Sequence, residues 1–340
     1  IIITPIPSHH SLSVFLSSNG IHNLCETTWC SMVIQARDMI QKAHENNVVV
    51  RVAENFFRFS IDRFAQTVRD SGYLGKIRRI FSYADHTGYH NDSRWIAFAQ
   101  DHPLWVQSLE HTIPTVSFYS TPQRFHENET FRGRYFMFPD NLLVVDSAAN
   151  IKGFLGRHSR PGYTEWQGEC GTLMYRPGET ELRYCSEKRR HHKDESPKKG
   201  GGRADEICPV KTELNEKGEW LRTYCETNQG VLEYINLYHF EGVEKKPLMG
   251  YSCSIVDHII DFVLAVRGLR ESEFDENDAM MSLMMEVGAK ESALNQGKRI
   301  KLPLEGETEV DIRTRESLKK QFGVDPMDVE AMLNISYPKP

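Results

Sequence analysis

Three kinds of feature are scarce or missing in this sequence. No apolar run approaches the roughly 18 residues of a membrane span, which excludes a membrane-spanning helix. The seven cysteines form no CxxC pair and no closely spaced framework, so a reducing, cytoplasmic compartment is expected. Basic residues number 41 against 47 acidic ones, and the net charge of −6 argues against a general nucleic-acid-binding protein.

The amino terminus also lacks the features of a signal peptide. Ile1–Ile3 runs directly into Thr4-Pro5 without a charged segment or a small-residue cleavage site, and we interpret it as a buried strand. The chain has 340 residues, of which 39% are apolar and 26% charged. This composition is typical of a soluble globular protein with room for two domains.

Residues 1–56 alternate between short apolar strands and amphipathic helices. Strands are predicted at Ile1–Thr4, His22–Cys25 and Val48–Ala53, and helices at Ser8–Ser18 and Ser31–Asn46. Strands and helices that alternate in this way, connected by short loops, are typical of one half of a doubly wound parallel sheet. The fold class is therefore predicted as α/β, beginning with a partial Rossmann domain in residues 1–56.

Residues 57–340 have a different pattern and are predicted as an α+β domain. Hairpin-like strands dominate between Arg132 and Tyr184, so the sheet is expected to be large, mostly antiparallel and open on one face. Helices are predicted at Pro103–Tyr119, Ser254–Gly268 and Glu276–Gln296. The stretch 187–206 has almost no apolar residue and contains three consecutive glycines, which is typical of a mobile, solvated loop.

Several segments, in this order, resemble the Gfo/Idh/MocA family of NAD(P)-dependent oxidoreductases, named for glucose-fructose oxidoreductase and inositol dehydrogenase. The matching segments are Thr4-Pro5-Ile6-Pro7-Ser8-His9, Gly20-Ile21-His22, Cys25-Glu26-Thr27-Thr28, Val52-Ala53-Glu54-Asn55, Gly72-Tyr73-Leu74-Gly75-Lys76-Ile77 and Gly297–Pro303. The resemblance implies hydride transfer between NAD or NADP and a hydroxyl of a sugar, glycoside or cyclitol. It also implies a homo-oligomer joined through the open sheet face. The residues that it places beside the cofactor are Thr4, Pro5, His9, Glu26 and Asn55.

The sequence departs from the family pattern in two places. The glycine-rich turn GxGxxG, which binds the pyrophosphate, does not occur in the chain. Either the sequence is a fragment of a longer product, or the nucleotide domain is degenerate. The family's Glu-Lys-Pro motif is here Glu26-Thr27-Thr28, so the lysine that would stabilise a developing alkoxide is a threonine. An alternative function is therefore a non-catalytic carbohydrate-binding or partner subunit.

The family's D-x-x-x-H motif aligns with Gln107 and His111. On the predicted helix these side chains lie one turn apart and share a face. His111 would act as acid–base, because imidazole titrates near neutral pH, and Gln107 would orient substrate hydroxyls. The alternative for His111 is a helical histidine bonded to neighbouring backbone.

Polar and aromatic residues are densest between positions 84 and 95, after a predicted strand. Carboxylate, imidazole and aromatic groups together suit a polyhydroxylated ligand, and the alternative is an ordinary polar loop. The predicted substrate-binding residues are His86, Tyr89, His90, Arg94 and Trp95. No metal site is predicted, because nothing in the spacing fixes a coordination geometry.

Two helical groups are assigned to packing or solvent. Met280, Met281, Met284 and Met285 indicate a core or a subunit contact rather than a cofactor site. Asp257, His258 and Asp261 are interpreted as a solvated or interdomain face.

Overall fold

The computed structural model describes residues 1–84, 88–121, 124–149, 162–176, 178–185, 206–237 and 251–336. The chain forms two compact units. Unit 1 consists of Ile1–Asn55, Tyr89–Leu109 and Ile255–Pro340, and unit 2 consists of Phe56–Gly88 and Glu110–Ser254. The first crossing between units coincides with the predicted boundary at residue 56, but two later segments return to unit 1.

The described residues contain eight α-helices and fourteen strands. The helices are α1 (His9–Ser18), α2 (Val33–Glu45), α3 (Ser60–Ser71), α4 (Gly88–Ala99), α5 (Tyr251–Val266), α6 (Glu276–Leu294), α7 (Glu309–Phe322) and α8 (Val329–Leu333). The strands are β1 (Asn23–Cys25), β2 (Val50–Val52), β3 (Ile77–Ala84), β4 (Trp105–Thr121), β5 (Arg124–Phe138), β6 (Leu142–Ala149), β7 (Tyr163–Gly168), β8 (Gly171–Arg176), β9 (Glu179–Tyr184), β10 (Glu206–Pro209), β11 (Lys211–Leu214), β12 (Trp220–Thr227), β13 (Gly230–Ile235) and β14 (Ile300–Lys301). No helix among these residues is long and apolar enough to cross a bilayer.

Unit 1 contains the parallel sheet predicted for the first 56 residues. β1 pairs with β2 in parallel, from Asn23 opposite Val50 to Cys25 opposite Val52. The predicted helix Ser31–Asn46 is confirmed as α2, whose apolar residues Val33, Ala36, Met39 and Ala43 are buried. The predicted strand Ile1–Thr4 is reduced to a single parallel bridge between Ile2 and Cys25, with Ile1 and Ile3 exposed.

The predicted helices Ser254–Gly268 and Glu276–Gln296 are confirmed as α5 and α6, whereas α7 and α8 are not among the predicted elements. Asp275 caps the start of α6 because its carboxylate accepts from the backbone amides of Asn277 and Asp278, and the Asp278 carboxylate accepts from the Asp275 amide. Met281, Met284 and Met285 are buried in the core, in agreement with a packing role. Asp257, His258 and Asp261 on α5 are buried as well, so the solvated alternative for this group is wrong, and the interdomain alternative stays a prediction.

Unit 2 contains a sheet with the strand order β10-β9-β8-β7-β3-β6-β5-β4. The pair β3–β6 runs parallel, and the pairs β9–β10, β8–β9, β7–β8, β3–β7 and β5–β6 run antiparallel. β11, β12 and β13 form a second, three-stranded antiparallel sheet. The predicted fold class is confirmed by this combination with the parallel sheet of unit 1.

Two neighbouring rows of side chains show that the large sheet has one buried and one open face. Thr164, Ser82, Asp146 and Arg134 lie side by side across β7, β3, β6 and β5, and all four are fully buried. The next row along the strands consists of Glu165, Phe81, Val145 and Tyr135, all partly or well exposed. Because successive side chains point to opposite faces, the two rows mark the two sides.

The predicted helix Pro103–Tyr119 is wrong, since this segment is strand β4. Its first residues pair with β14, where Val106 lies opposite Ile300 and Trp105 opposite Lys301. Further along, the Thr112 and Thr130 hydroxyl oxygens are 3.0 Å apart across β4 and β5. The segment is rich in β-branched and aromatic residues, and pairing with distant strands outweighs its helix-like spacing.

A second difference concerns residues 88–99, where the structure has helix α4 instead of a polar loop. Trp95, Ile96 and Phe98 are buried, which supplies the apolar packing that holds this polar segment in a helix. The predicted mobile stretch 187–206 lies outside the described residues except for Glu206.

Candidate functional site

The candidate site lies where the parallel strands of unit 1 end. The Glu26 amide donates to the Ile2 carbonyl at 3.0 Å, and the Ala53 amide donates to the Cys25 carbonyl at 2.8 Å. These bonds bring the carboxyl ends of three neighbouring strand segments to one edge. In open α/β sheets this is the edge at which ligands bind.

Glu54 lies two residues beyond the end of β2 and forms the centre of a buried hydrogen-bonded group. Its side chain is only 4% exposed and accepts bonds from His90 Nδ1 at 2.9 Å and from Ser93 Oγ at 3.1 Å. His90 and Ser93 lie three residues apart on α4, so both face the same side of the helix. A carboxylate, an imidazole and a hydroxyl thus meet inside unit 1.

The Glu54 carboxylate determines how the His90 imidazole carries its proton. A carboxylate only accepts hydrogen bonds, so His90 Nδ1 must be the protonated nitrogen. Nε2 is then the nitrogen of the neutral ring that can accept a hydrogen bond. The pair is suited to general acid–base work.

A small cavity adjoins this pair. Its lining residues are Thr28, Trp29, Val52, Glu54, Tyr89, Ala279, Ser282 and Leu283. Its free volume of about 10 Å³ suffices for roughly one water molecule. Tyr89 contributes an aromatic ring whose centroid lies 4.1 Å from that of His90. The cavity therefore suits a single hydroxyl group or water beside the carboxylate.

The loop after β1 is held by main-chain and side-chain contacts. The Thr27 amide donates to Glu26 Oε2 at 3.1 Å, and the Thr27–Thr28 peptide is cis. His9, fully buried at the start of α1, has Nδ1 3.0 Å from the Thr28 carbonyl oxygen and Nε2 2.8 Å from the Thr4 carbonyl oxygen. His9 therefore contacts backbone of two strand ends and does not face solvent.

The nearby cysteines do not supply nucleophiles. Burial raises the pKa of Cys30 to about 12, and burial likewise raises the pKa of Cys25 well above its usual value. Both groups therefore remain protonated thiols at neutral pH. Among the described residues, no cluster of histidine, cysteine and carboxylate side chains could hold a metal ion.

The predicted pair Gln107 and His111 does not share a helical face. Gln107 Nε2 donates to the Gly297 carbonyl at 2.8 Å, and His111 is an exposed residue further along β4. On a strand, positions four residues apart are separated by roughly 13 Å. The arrangement expected from a single helical turn is therefore absent from this described segment.

The predicted substrate-binding residues fall into different environments. Tyr89 lines the cavity and His90 bonds Glu54, which also lines it, whereas Arg94 and Trp95 are fully buried. The Arg94 guanidinium stacks over the Trp95 ring at 4.6 Å and donates to Asn91 Oδ1 at 3.2 Å. His86 lies outside the described residues.

The predicted cofactor residues gather at the strand ends but differ in exposure. Thr4 and Pro5 are exposed, Glu26 is half-buried, and His9 and Asn55 are buried.

Glu54 and Ser93 were not predicted as site residues. Glu54 could have been found from its position immediately after a parallel strand, where open sheets bind ligands. Ser93 could not have been found in this way, because it lies on the same face as His90 only when residues 88–99 form the helix α4.

The fold is that of two-domain, Gfo/Idh/MocA-type oxidoreductases, as comparison with solved structures shows. Levoglucosan dehydrogenase in complex with NADH and levoglucosan matches 89% of this chain and 79% of its own, with 15% identity and a TM-score of 0.60. myo-Inositol 2-dehydrogenase from Lactobacillus plantarum matches 88% and 79%, with 16% identity and a TM-score of 0.54. An oxidoreductase from Agrobacterium radiobacter in complex with NAD+, L-tartaric acid and magnesium matches 88% and 78%, with 12% identity and a TM-score of 0.60. No family model matches the sequence, and no curated protein matches it.

Proposed function

We propose that this chain is an NAD(P)-dependent oxidoreductase acting on a hydroxyl group of a sugar, glycoside or cyclitol. The observation that carries the proposal is the buried Glu54–His90 pair beside a cavity at the carboxyl edge of the parallel sheet. A histidine with an orienting carboxylate is what removal of a hydroxyl proton requires. The fold comparisons support the same class of reaction.

In the proposed reaction His90 takes the proton of the substrate hydroxyl as hydride leaves the same carbon. Glu54 stabilises the resulting imidazolium, and Ser93 holds the Glu54 carboxylate through its hydroxyl. Tyr89 and Thr28, which line the cavity, position the hydroxyl group. NAD or NADP, when bound, accepts the hydride.

The strand ends fit the nicotinamide end of such a cofactor. Thr4, Pro5 and Glu26 are accessible at the edge where ligands of open sheets bind, while His9 and Asn55 lie behind it. The sequence contains no glycine-rich turn for the pyrophosphate, so that part of the cofactor is assigned to no residue here.

Turnover measurements with paired histidine variants test the proposal. The protein is mixed with NAD+ or NADP+ and a panel of aldoses, anhydrosugars and cyclitols, and formation of the reduced nicotinamide is followed by absorbance. We expect His90→Gln to lower kcat by roughly 10²-fold or more, while His111→Ala leaves it unchanged. Loss of turnover in His111→Ala alone would move the acid–base role to His111.

A second candidate function is a carbohydrate-binding or partner subunit without redox activity. Thr27 favours it, because a threonine carries no charge to stabilise an alkoxide. Sugar binding in calorimetry, combined with no turnover and no NAD(P)H binding, would support this function and contradict the oxidoreductase.

We also propose that the open face of the large sheet joins two copies of this chain. Phe81, Phe131 and Tyr135 expose 39%, 39% and 44% of their surface on this part of unit 2. Exposed aromatic side chains on an open sheet face are typical of an association surface. Sedimentation of the wild type as a dimer or tetramer, and of Tyr135→Glu as a monomer, is expected.

A further inference from the structure

The buried imidazole of His9 joins the backbone at two strand ends of unit 1. Thr4 follows the segment that bridges to β1 through Ile2, and Thr28 follows β1 itself. His9 Nε2 is 2.8 Å from the Thr4 carbonyl oxygen and Nδ1 is 3.0 Å from the Thr28 carbonyl oxygen. A neutral ring donates to one of these oxygens, and a doubly protonated ring donates to both.

We infer that His9 is a positioning residue that sets the place of the Thr27–Thr28 peptide at the site. The backbone bonds between the Ile2 segment and β1 run from the Ile2 amide, which donates to the Leu24 carbonyl, to the Glu26 amide, which donates to the Ile2 carbonyl. Beyond that point, the His9 ring connects the carbonyl of Thr28 to the neighbouring strand end. His9 therefore acts through Thr28 and not by touching the substrate.

The position of Thr28 matters because its side chain lines the cavity together with Glu54 and Tyr89. A shift of the Thr27–Thr28 peptide would change the space beside the Glu54–His90 pair. Its catalytic consequence rests on the proposed function, whereas the backbone restraint does not.

The next residue along α1 provides a matched control. His10 is also buried, but its Nε2 contacts Asp38 Oδ2 on α2 at 2.7 Å. His10 thus makes a helix-to-helix contact of similar burial without any bond to residues 4 or 28. If replacing any buried histidine of α1 were enough to alter hydrogen exchange or KM, variants of His9 and of His10 should show the same effect.

Two amide variants separate the two contacts of His9. The amide nitrogen of asparagine lies near the position of imidazole Nδ1, and that of glutamine near Nε2. We expect His9→Asn to retain the Thr28 contact and His9→Gln to lose it. Hydrogen exchange of the peptide covering residues 26–32, measured by mass spectrometry, should then be about tenfold faster in His9→Gln and near wild type in His9→Asn.

Kinetics give a second readout. His9→Gln should raise the KM for the sugar by about tenfold with a smaller change in kcat, while His9→Asn and the control His10→Gln remain close to wild type. Equal acceleration of exchange in both His9 variants would overturn the inference, as would unchanged exchange in His9→Gln. A wild-type protein without any turnover would contradict the proposed function alone, because the exchange measurement would still decide the role of His9.

Discussion

A buried pair of a carboxylate and a nitrogen base in unit 2 and another in unit 1 differ in what they can do. In unit 2 Arg134 bonds Asp146 across β5 and β6, and both side chains are completely buried. In unit 1 His90 bonds Glu54, with side chains 10% and 4% exposed, beside a cavity at the strand ends. A guanidinium remains charged at any physiological pH, whereas an imidazole gains and loses its proton near neutrality. The first pair can only stabilise the sheet, and the second can transfer a proton.

Removing the carboxylate charge of the unit 2 pair should have the largest effect. In Asp146→Asn the buried Arg134 guanidinium faces a neutral amide in place of the Asp146 carboxylate, and arginine cannot compensate by deprotonating. We expect a loss of about 3–5 kcal/mol of stability, measured by urea unfolding. The double variant Arg134→Met/Asp146→Leu should recover most of this loss, and failure to do so would show that the pair is not the cause.

The equivalent change in the unit 1 pair should affect activity instead of stability. In Glu54→Gln the His90 ring can remain neutral, so we expect a stability change of about 1 kcal/mol or less. Turnover should fall by roughly 10²-fold, because the imidazolium loses its stabilising charge. Unfolding and kcat are measured on the same preparation, and a stability loss as large as that of Asp146→Asn would contradict the comparison.

The partly exposed pair His102–Asp278 in unit 1 should make the smallest contribution to stability of the three pairs. The hydrogen bond from His102 to Asp278, 2.8 Å long, is the main reason that the pKa of His102 is raised. A raised pKa in the folded state gives stability that is complete below the ordinary value of about 6.5 and is lost as pH rises through the folded value. Since the pair is about one-third exposed, we expect well under 1 kcal/mol. The difference in melting temperature between wild type and His102→Gln should be small in mild acid and disappear in mild alkali, and a difference that grows with pH would contradict this sign.

The elements that could be predicted from sequence are those with a strong local pattern. α2 shows its buried face in the spacing of Val33, Ala36, Met39 and Ala43, and the hairpin strands of unit 2 alternate between buried and exposed residues. β4 could not be predicted, because its state depends on pairing with β5 and with the distant β14. Gln107 and His111 are four residues apart, and residues at this spacing share a face on a helix as well as on a strand. Their spacing therefore does not distinguish the two structures.

The candidate site was predicted only in part for the same reason. His90 and Tyr89 were recognised as residues of a polar, aromatic segment, but nothing local relates them to Glu54, which lies 36 residues earlier. His111 was favoured because it aligned with a motif, and the strand places it on an exposed surface.

The sequence by itself determined the α/β class, the parallel opening segment, the antiparallel sheet and the set of residue types available at the strand ends. These features follow from hydrophobic periodicity and turn residues, which act over a few positions. Tertiary structure decided which histidine meets a carboxylate, which side chains are buried and which nitrogen of His90 faces Glu54. Those outcomes depend on contacts between segments far apart in the chain, and no local pattern encodes them.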